Sequence, residues 1–337
     1  MPLVSVIMPV YNAETDLCEA LDSILHQTYR NLEIIVINDA STDKSAEILA
    51  RYTDERLVIF HNTINLKQQK TRNIGLEFAH GKYVVNMDAD DISLLNRIEI
   101  QVAYMEEHPE CDVCGTAYVR FGGDFSRKIY YPESSADIAV AMITRSAMAH
   151  ATVIFRKSSI KKYNIRYDAE SKFNYAEDFE LWGRLSLLGV TFHNINIPLY
   201  KYRDTNYGVC NTHALEQEIA TGIVIQRNLN MIFDCKLVLP TLQREKYDAE
   251  DIELDFRYLK EYSCKGFVHR YFSYKDCKQI ICDVAKYIAL RNTCFGLIVC
   301  FKFLKYYPGK YTDLMNKWFL KLIFKCIVRY NPKNMEH

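Results

Sequence analysis

The alternation of apolar and polar positions changes character along the chain. Up to about residue 107, short apolar runs alternate with longer stretches in which apolar residues recur every three or four positions. Leu3–Met8, Leu32–Ile37, Leu57–His61 and Tyr83–Met87 read as buried strands. Glu14–His26, Lys44–Tyr52, Lys67–Ala79 and Leu94–Glu107 read as the helices that follow them, the last ended by His108-Pro109. Strands separated by helices in this way predict right-handed βαβ units and a mostly parallel sheet with flanking helices. Further on, Cys111–Val119 and Arg127–Tyr131 read as strands flanking a Gly122-Gly123 turn. Ala151–Phe155, Val190–Ile195 and Leu199–Arg203 read as further strands, and Phe179–Leu188 as a helix. From about Thr212 the pattern is helical, broken at Pro240 and Pro308, so a boundary is placed near residue 206: an α/β part over 1–205 and a mainly helical part over 206–337.

At 337 residues the chain can bury a sizeable core, and 49% apolar with 25% charged residues is ordinary globular composition. Net charge is zero, so no global field points to nucleic acid. The charge is unevenly placed, however: residues 301–333 carry eight Lys or Arg against the single acid Asp313. Lys317, Lys321, Lys325 and Arg329 recur every fourth position among Trp318, Phe319, Leu322, Ile323 and Phe324. On a helix this spacing makes a basic stripe beside a broad apolar face, which suits either an anionic membrane surface or packing on the rest of the protein. Phe301, Phe303, Tyr306, Tyr307 and Tyr311 add aromatics of the kind found at bilayer interfaces and favour the membrane. No run reaches the ~18 apolar residues of a membrane span, Cys294–Phe301 being cut short by Lys302 and Lys305, and no secretory signal opens the chain. Eleven cysteines without a repeating framework read as free thiols in a reducing compartment, and the lone Cys111/Cys114 CxxC as buried thiols.

Chemistry concentrates in Gly81–Asp91, where an apolar strand delivers Asp88, Asp90 and Asp91 at its carboxyl end. Crowded carboxylates repel one another unless a cation lies between them, and hard divalent ions that take oxygen ligands also hold phosphates. A metal–diphosphate site at the end of a parallel strand and a solvated acidic cap on the next helix are both open on these residues alone. Neither a P-loop nor a dinucleotide fingerprint is present: the Gly75 to Gly81-Lys82 spacing is one residue too long, and no G-x-G-x-x-G follows a strand.

Four blocks in order decide the matter: Val4–Glu14, Glu33–Asp43, Arg72-Asn73-Ile74-Gly75 through Gly81-Lys82-Tyr83 to Asp91, and Ala176–Leu185. Together they resemble the inverting, nucleotide-sugar-dependent glycosyltransferases of family 2 with the GT-A fold, within which the motifs are most similar to bacterial enzymes that extend lipooligosaccharide, O-antigen or capsule chains. The resemblance implies a GT-A, Rossmann-like catalytic part followed by the helical region. It also implies a UDP-sugar donor (UDP-GalNAc, UDP-Gal or UDP-GlcNAc), Mn²⁺ or Mg²⁺ as cofactor and a glycan or glycolipid acceptor; with the free thiols and the basic tail, the place expected is the cytoplasm, peripheral on the cytoplasmic face of the inner membrane.

By the same resemblance, Pro9, Tyr11, Asn12, Glu14, Asp39 and Arg72 contact the nucleotide, with Asp39 on the uracil N3–H. Asp90 binds the metal, Asp88 contacts ribose or the metal through water, and Ala89 lies between them; Asp91 caps the next helix or orients its neighbours. Asp178, beside Glu177 at a helix start, matches the catalytic base; Trp182 stacks an acceptor sugar, Arg184 pairs with the acids, and His150 lies near metal or acceptor. Asn38 and Ala40 depart from the family's usual Asp and Gly, which loosens the geometry expected of that loop. The competing readings are a polyprenyl-phosphate sugar transferase and a catalytically silent glycan-binding protein of the same fold. The absence of a Gln-x-x-Arg-Trp motif argues against a processive synthase.

Overall fold

The computed structural model describes residues 1–122, 125–204, 212–234, 238–243, 248–263 and 272–292, together with 299, 303, 306 and 322. Gly123 of the expected turn, the Pro308 break and the basic stripe of the tail lie outside the described residues. The strands are β1 (Val4–Val10), β2 (Leu32–Asn38), β3 (Leu57–His61), β4 (Tyr83–Asn86), β5 (Ile92–Ser93), β6 (Val113–Gly122), β7 (Phe125–Ile129), β8 (Ile154–Arg156) and β9 (Phe192–Arg203). They form one nine-stranded sheet in the order β3-β2-β1-β4-β8-β6-β9-β5, with β7 paired to β6. The first four run parallel, as the βαβ pattern requires. Beyond β4 the sheet is mixed: β8 is antiparallel to β4 and β6, whereas β6 and β9 are parallel.

Seven helices up to residue 187 pack around this sheet: α1 (Leu17–Leu25), α2 (Ser45–Leu49), α3 (Lys67–Phe78), α4 (Arg97–Glu107), α5 (Ser135–Ala141), α6 (Lys157–Lys162) and α7 (Glu177–Leu187). Strand β1 is buried on both faces, as expected for a central parallel strand. Its Val4, Val6, Met8 and Val10 join α1 and α4 in one core, while Ile7 joins Leu76 of α3 and Leu181, Trp182 and Leu185 of α7 in a second. A third core gathers Ile143, Phe173, Phe179 and Leu187 with the helices Ala214–Phe233, Ala249–Ser263 and Tyr274–Arg291. Helix α7 therefore lies between the sheet and the C-terminal helices, and its first turn opens where the two meet. Leu322 of the tail is buried in this third core.

Where the chain was expected to form two strands at Val190–Ile195 and Leu199–Arg203, it forms the single strand β9. Its pairing with β6 shifts register opposite Pro198, whose missing N–H breaks the ladder without ending the strand. Helices α5 and α6 and the two-residue β5 were not expected, being too short to show a period. Cys111 and Cys114 are buried and free. No helix among the described residues is long and apolar enough to cross a membrane.

Gly75 sets how closely α3 approaches the sheet: a Cβ there would fall 2.4 Å from Ile7 Cγ2. Because a β-branched side chain has few rotamers to retreat into, Gly75→Ala is expected to destabilise the protein by about 1–3 kcal/mol. Chemical denaturation checks this; an unchanged midpoint would show that α3 can lift away without penalty.

Candidate active site

The loops after β1 and β2 are stitched together. Asn12 Oδ1 accepts from Thr42 N at 2.8 Å, Asn12 N donates to Ser41 Oγ at 3.1 Å, and Glu14 Oε2 accepts from Lys44 N at 2.9 Å. Glu14 N in turn donates to Asp43 Oδ2 at 2.9 Å. Asn12 and Ala40 hold left-handed backbone, φ 50° and 58°. Ala40 thus adopts the conformation that favours glycine, and Asn38 Oδ1 supports the turn by accepting from Ser41 N at 3.1 Å. Tyr11 stands exposed beside this double loop, while Pro9 closes β1 half-buried.

Asp39, buried at the end of β2, accepts from Asn62 Nδ2 at 2.7 Å and from the backbone N–H groups of Leu66 and Lys67 at 2.9 Å. It therefore fixes the entry to α3. With about four acceptor directions on a carboxylate, three donors leave one open for a ligand.

Five residues into α3 lies Arg72, also buried, which donates from Nη2 to Asp88 Oδ1 at 2.5 Å. Its Nε and Nη1 are buried without a partner. A guanidinium with two unused donors at the carboxyl edge of a parallel sheet is built for an anion. Burial pushes the Asp88 carboxyl up, but Arg72 outweighs it and holds Asp88 below the usual range. Asp90 goes the other way, raised to about 6 by burial of its carboxyl and then by the charge of Asp88, in a residue that as a whole is exposed. Asp91, buried and crowded by both neighbours, is raised well above the ordinary aspartate value. Asp88, kept ionised by Arg72, and the exposed Asp90 are hard oxygen donors of the kind that hold Mn²⁺ or Mg²⁺. Ala89 turns its methyl into the core beneath, leaving only backbone to a ligand.

Asp91 does not cap the following helix, the first of its two expected roles; its Oδ1 accepts from Arg203 N, 112 residues away, at 2.7 Å. Arg203 also donates to the Asp90 carbonyl at 2.8 Å and pairs with Asp16 and Glu19, while Tyr200 Oη accepts from Asp88 N at 3.2 Å. The end of β9 thus holds the acidic loop in shape.

Beside the loop, His150 Nε2 lies 2.7 Å from Tyr167 Oη and 3.0 Å from Asn86 Nδ2, in hydrogen-bond contact with both. Burial, with the Arg72 charge behind it, drives His150 down to about 3, so the ring is neutral. Arg97, buried under the same loop, donates to the carbonyls of Asn86 at 3.0 Å and Ala151 at 2.9 Å. Arg97, Tyr167, Tyr200 and Arg203 carry no signal in the sequence, because each acts on a partner many positions away.

Across from the acidic loop, α7 begins with Glu177 and Asp178. Burial lifts Asp178 above its ordinary value; Phe179 N, donating to Oδ1 at 2.7 Å, and the Arg72 charge pull it back in part. Burial and the neighbouring Asp178 raise Glu177 to about 7, and its Oε2 is buried without a partner. Arg72 and Asp88 act electrostatically on both acids, so the structure brings the start of α7 within charge reach of the acidic loop. Asp178 lines a cavity of about 270 Å³ with Thr144, Arg145, Tyr175, Gln217 and Tyr287, at the junction with the C-terminal helices.

Two expectations for α7 are corrected. Trp182 does not face an acceptor; it is fully buried, stacked on Phe155 with ring centroids 6.0 Å apart and lying behind His150. Arg184 pairs with Glu180 at 2.9 Å rather than with Glu177 or Asp178, because Glu180 lies one helical turn before it on the same face. Glu180 is buried, with Arg227 of the Ala214–Phe233 helix as its second cation at 2.6 Å.

A family model described as glycosyl transferase family 2 matches residues 5–164. An uncharacterised glycosyltransferase of Haemophilus influenzae is 30% identical over 98% of this chain and 98% of its own length. The Escherichia coli protein named UDP-Glc:alpha-D-GlcNAc-diphosphoundecaprenol beta-1,3-glucosyltransferase WfaP is 29% identical over 60% of this chain and 78% of its own length. Among solved structures, residues 1–349 of Staphylococcus aureus TarS in complex with UDP-GlcNAc superpose with a TM-score of 0.58 at 20% identity, covering 90% of this chain and 89% of that one. The parallel β3-β2-β1-β4 half, the acidic loop at its carboxyl edge and the full-length relative agree: the chain belongs to glycosyltransferase family 2 and has the GT-A fold.

Proposed function

We propose that the protein transfers one sugar from a UDP-sugar to a hydroxyl of a glycan or glycolipid acceptor in bacterial surface-polysaccharide or lipooligosaccharide synthesis, inverting the anomeric configuration. The observation that carries this reading is the placement of Asp178 on a cavity, within charge reach of Arg72 and Asp88. An acceptor in the cavity presents its hydroxyl to Asp178, which takes the proton as the oxygen attacks the anomeric carbon. The bond to the diphosphate breaks on the opposite face, and UDP leaves against Arg72, whose spare N–H donors meet the new charge. Mn²⁺ or Mg²⁺ on Asp90 and Asp88 would supply Lewis-acid stabilisation of the leaving diphosphate. Pro9, Tyr11, Asn12, Glu14 and Asp39 form the base and ribose side of this site. The names of WfaP and of the TarS complex support a uridine nucleotide, and UDP-GalNAc, UDP-Gal or UDP-GlcNAc is the donor proposed here.

In this reading residues 1–205 form the catalytic part and 206–337 help shape the acceptor side. Phe303 and Leu322 of this region are buried in the third core rather than offered to a bilayer, so the proposed contact with an anionic membrane on the cytoplasmic side rests on the basic side chains, each surface Lys or Arg adding about 1 kcal/mol. The lipid-linked acceptor in the name of WfaP supports an acceptor held at that surface. Deleting residues 317–337 is expected to move the protein from the membrane to the soluble fraction; unchanged fractionation would rule out the membrane contact.

The test is UDP release from a panel of UDP-sugars with MnCl₂ or MgCl₂, offered glycan, lipid-linked glycan and polyprenyl-phosphate acceptors in turn. Release that depends on a glycan hydroxyl supports the proposal. Release only with polyprenyl phosphate would reassign the acceptor, and neither UDP binding nor release with any donor would leave a glycan-binding protein.

A further inference from the structure

A second group of ligand-type side chains lies at the far end of β9 from the acidic loop. His108 follows α4, Glu110 comes two residues later, and His193 is the second residue of β9. One ligand atom from each lies within 4.8 Å of the others, and His108 Nδ1 and Glu110 Oε1 are already 3.1 Å apart. Two ligands on a tetrahedral zinc ion with 2.0–2.1 Å bonds are about 3.3 Å apart, so this pair needs little movement to share one. The rings of His108 and His193 have centroids 5.6 Å apart. Tyr104 Oη lies 2.7 Å from His193 Nδ1, so with Nδ1–H donating to the hydroxyl, the lone pair on Nε2 is free for a cation. Such an outer partner, fixing tautomer and ring orientation, is what metal-binding histidines ordinarily have.

We propose that His108, Glu110 and His193 form a binding site for a zinc-class transition-metal ion, separate from the nucleotide-sugar site. Arg203 at the acidic loop lies ten positions along β9 from His193, about 30 Å of extended chain. Donor type separates the two sites as well: two imidazoles select zinc-class ions, whereas an all-carboxylate loop suits Mg²⁺ or Mn²⁺. The three ligands come from a helix end, the turn after it and a strand 83 positions on. The ion therefore ties α4 and its turn to β9, with the coordination left over going to water. Its role is to pin the β6–β9 half of the sheet, whose other end shapes the acidic loop.

The experiment uses full-length protein treated with chelator, then titrated with ZnCl₂ by calorimetry and with CoCl₂ by visible absorption, with excess MgCl₂ throughout to occupy oxygen-donor sites. One equivalent of Zn²⁺, cobalt bands typical of low coordination number, and a thermal midpoint a few degrees higher with Zn²⁺ are expected. His108→Ala and Glu110→Gln, both at solvent-accessible positions, should each weaken Zn²⁺ at least tenfold. Tyr104→Phe should weaken it about tenfold through loss of ring orientation. No Zn²⁺ heat in the parent protein, or equal affinity in His108→Ala and Glu110→Gln, would overturn the site. Because the readout is metal binding, the outcome is independent of whether the protein transfers sugar.

Discussion

Asp178→Asn is expected to lower kcat by about 10²–10⁴-fold while leaving UDP affinity within a factor of two. Asparagine keeps an oxygen for Phe179 N, so the first turn of α7 retains its hydrogen bond and the substitution removes little beyond the ability to accept a proton. The pH profile gives a second readout. Burial raises Asp178, so the acidic limb of kcat/KM in the parent enzyme should lie above the 3.8 of an ordinary aspartate. As pH falls through that limb the carboxylate is protonated and activity is lost; in the asparagine variant the residual rate should lack the limb. Glycosyl transfer at near the parental rate would exclude Asp178 as base and turn attention to Glu177, whose carboxyl is raised to about 7.

The second large effect concerns Arg72. Arg72→Met should weaken UDP-sugar binding by about 10–100-fold, the loss expected for charge-assisted hydrogen bonds of 1.5–3 kcal/mol. Stability should respond differently. Removing one partner of a fully buried ion pair costs about 3–5 kcal/mol, chiefly because a charge is left stranded. Here the Asp88 side chain keeps 27% of its exposure and can hydrate, and the methionine ends the burial of two partnerless guanidinium nitrogens. The stability loss should therefore be well under that range. The double variant Arg72→Met, Asp88→Asn should melt at or above the parent while failing to bind UDP. Asp88 sits below its ordinary value in the folded protein, so its contribution is present above the unfolded aspartate value and lost as pH falls through the folded one. That acid-side loss should shrink in Arg72→Met. UDP affinity within twofold of the parent would remove Arg72 from the donor site.

Much of the catalytic half could be read from residue order, because parallel βαβ units are built from near neighbours and their loops carry contiguous motifs. Leu32–Ile37 and Tyr83–Met87 end at Asp39 and Asp88 in the sequence, and the structure puts Asp39 directly after β2 and Asp88 two residues beyond β4. Trp182 was misread because a helix of two buried faces hides more side chains than a one-sided period reveals: Leu181, Trp182 and Leu185 serve one core while Phe179 and Leu187 serve another. Of the two roles open to Asp91, capping the next helix and orienting its neighbours, only the fold could choose, since nothing local announces a backbone N–H 112 residues away.

By itself, then, the sequence determined the parallel half of the sheet, the acids at its carboxyl edge and the family, because local periodicity and contiguous motifs encode all three. Tertiary structure alone decided how readily each of those acids ionises and what it faces. It set the ion pair of Arg72 with Asp88, the support of the acidic loop by Tyr200 and Arg203, and the meeting of Asp178 with the C-terminal helices. It also brought His193 to His108 and Glu110. Charge state and ligand sets depend on burial and on distances across the fold, and neither follows from spacing along the chain.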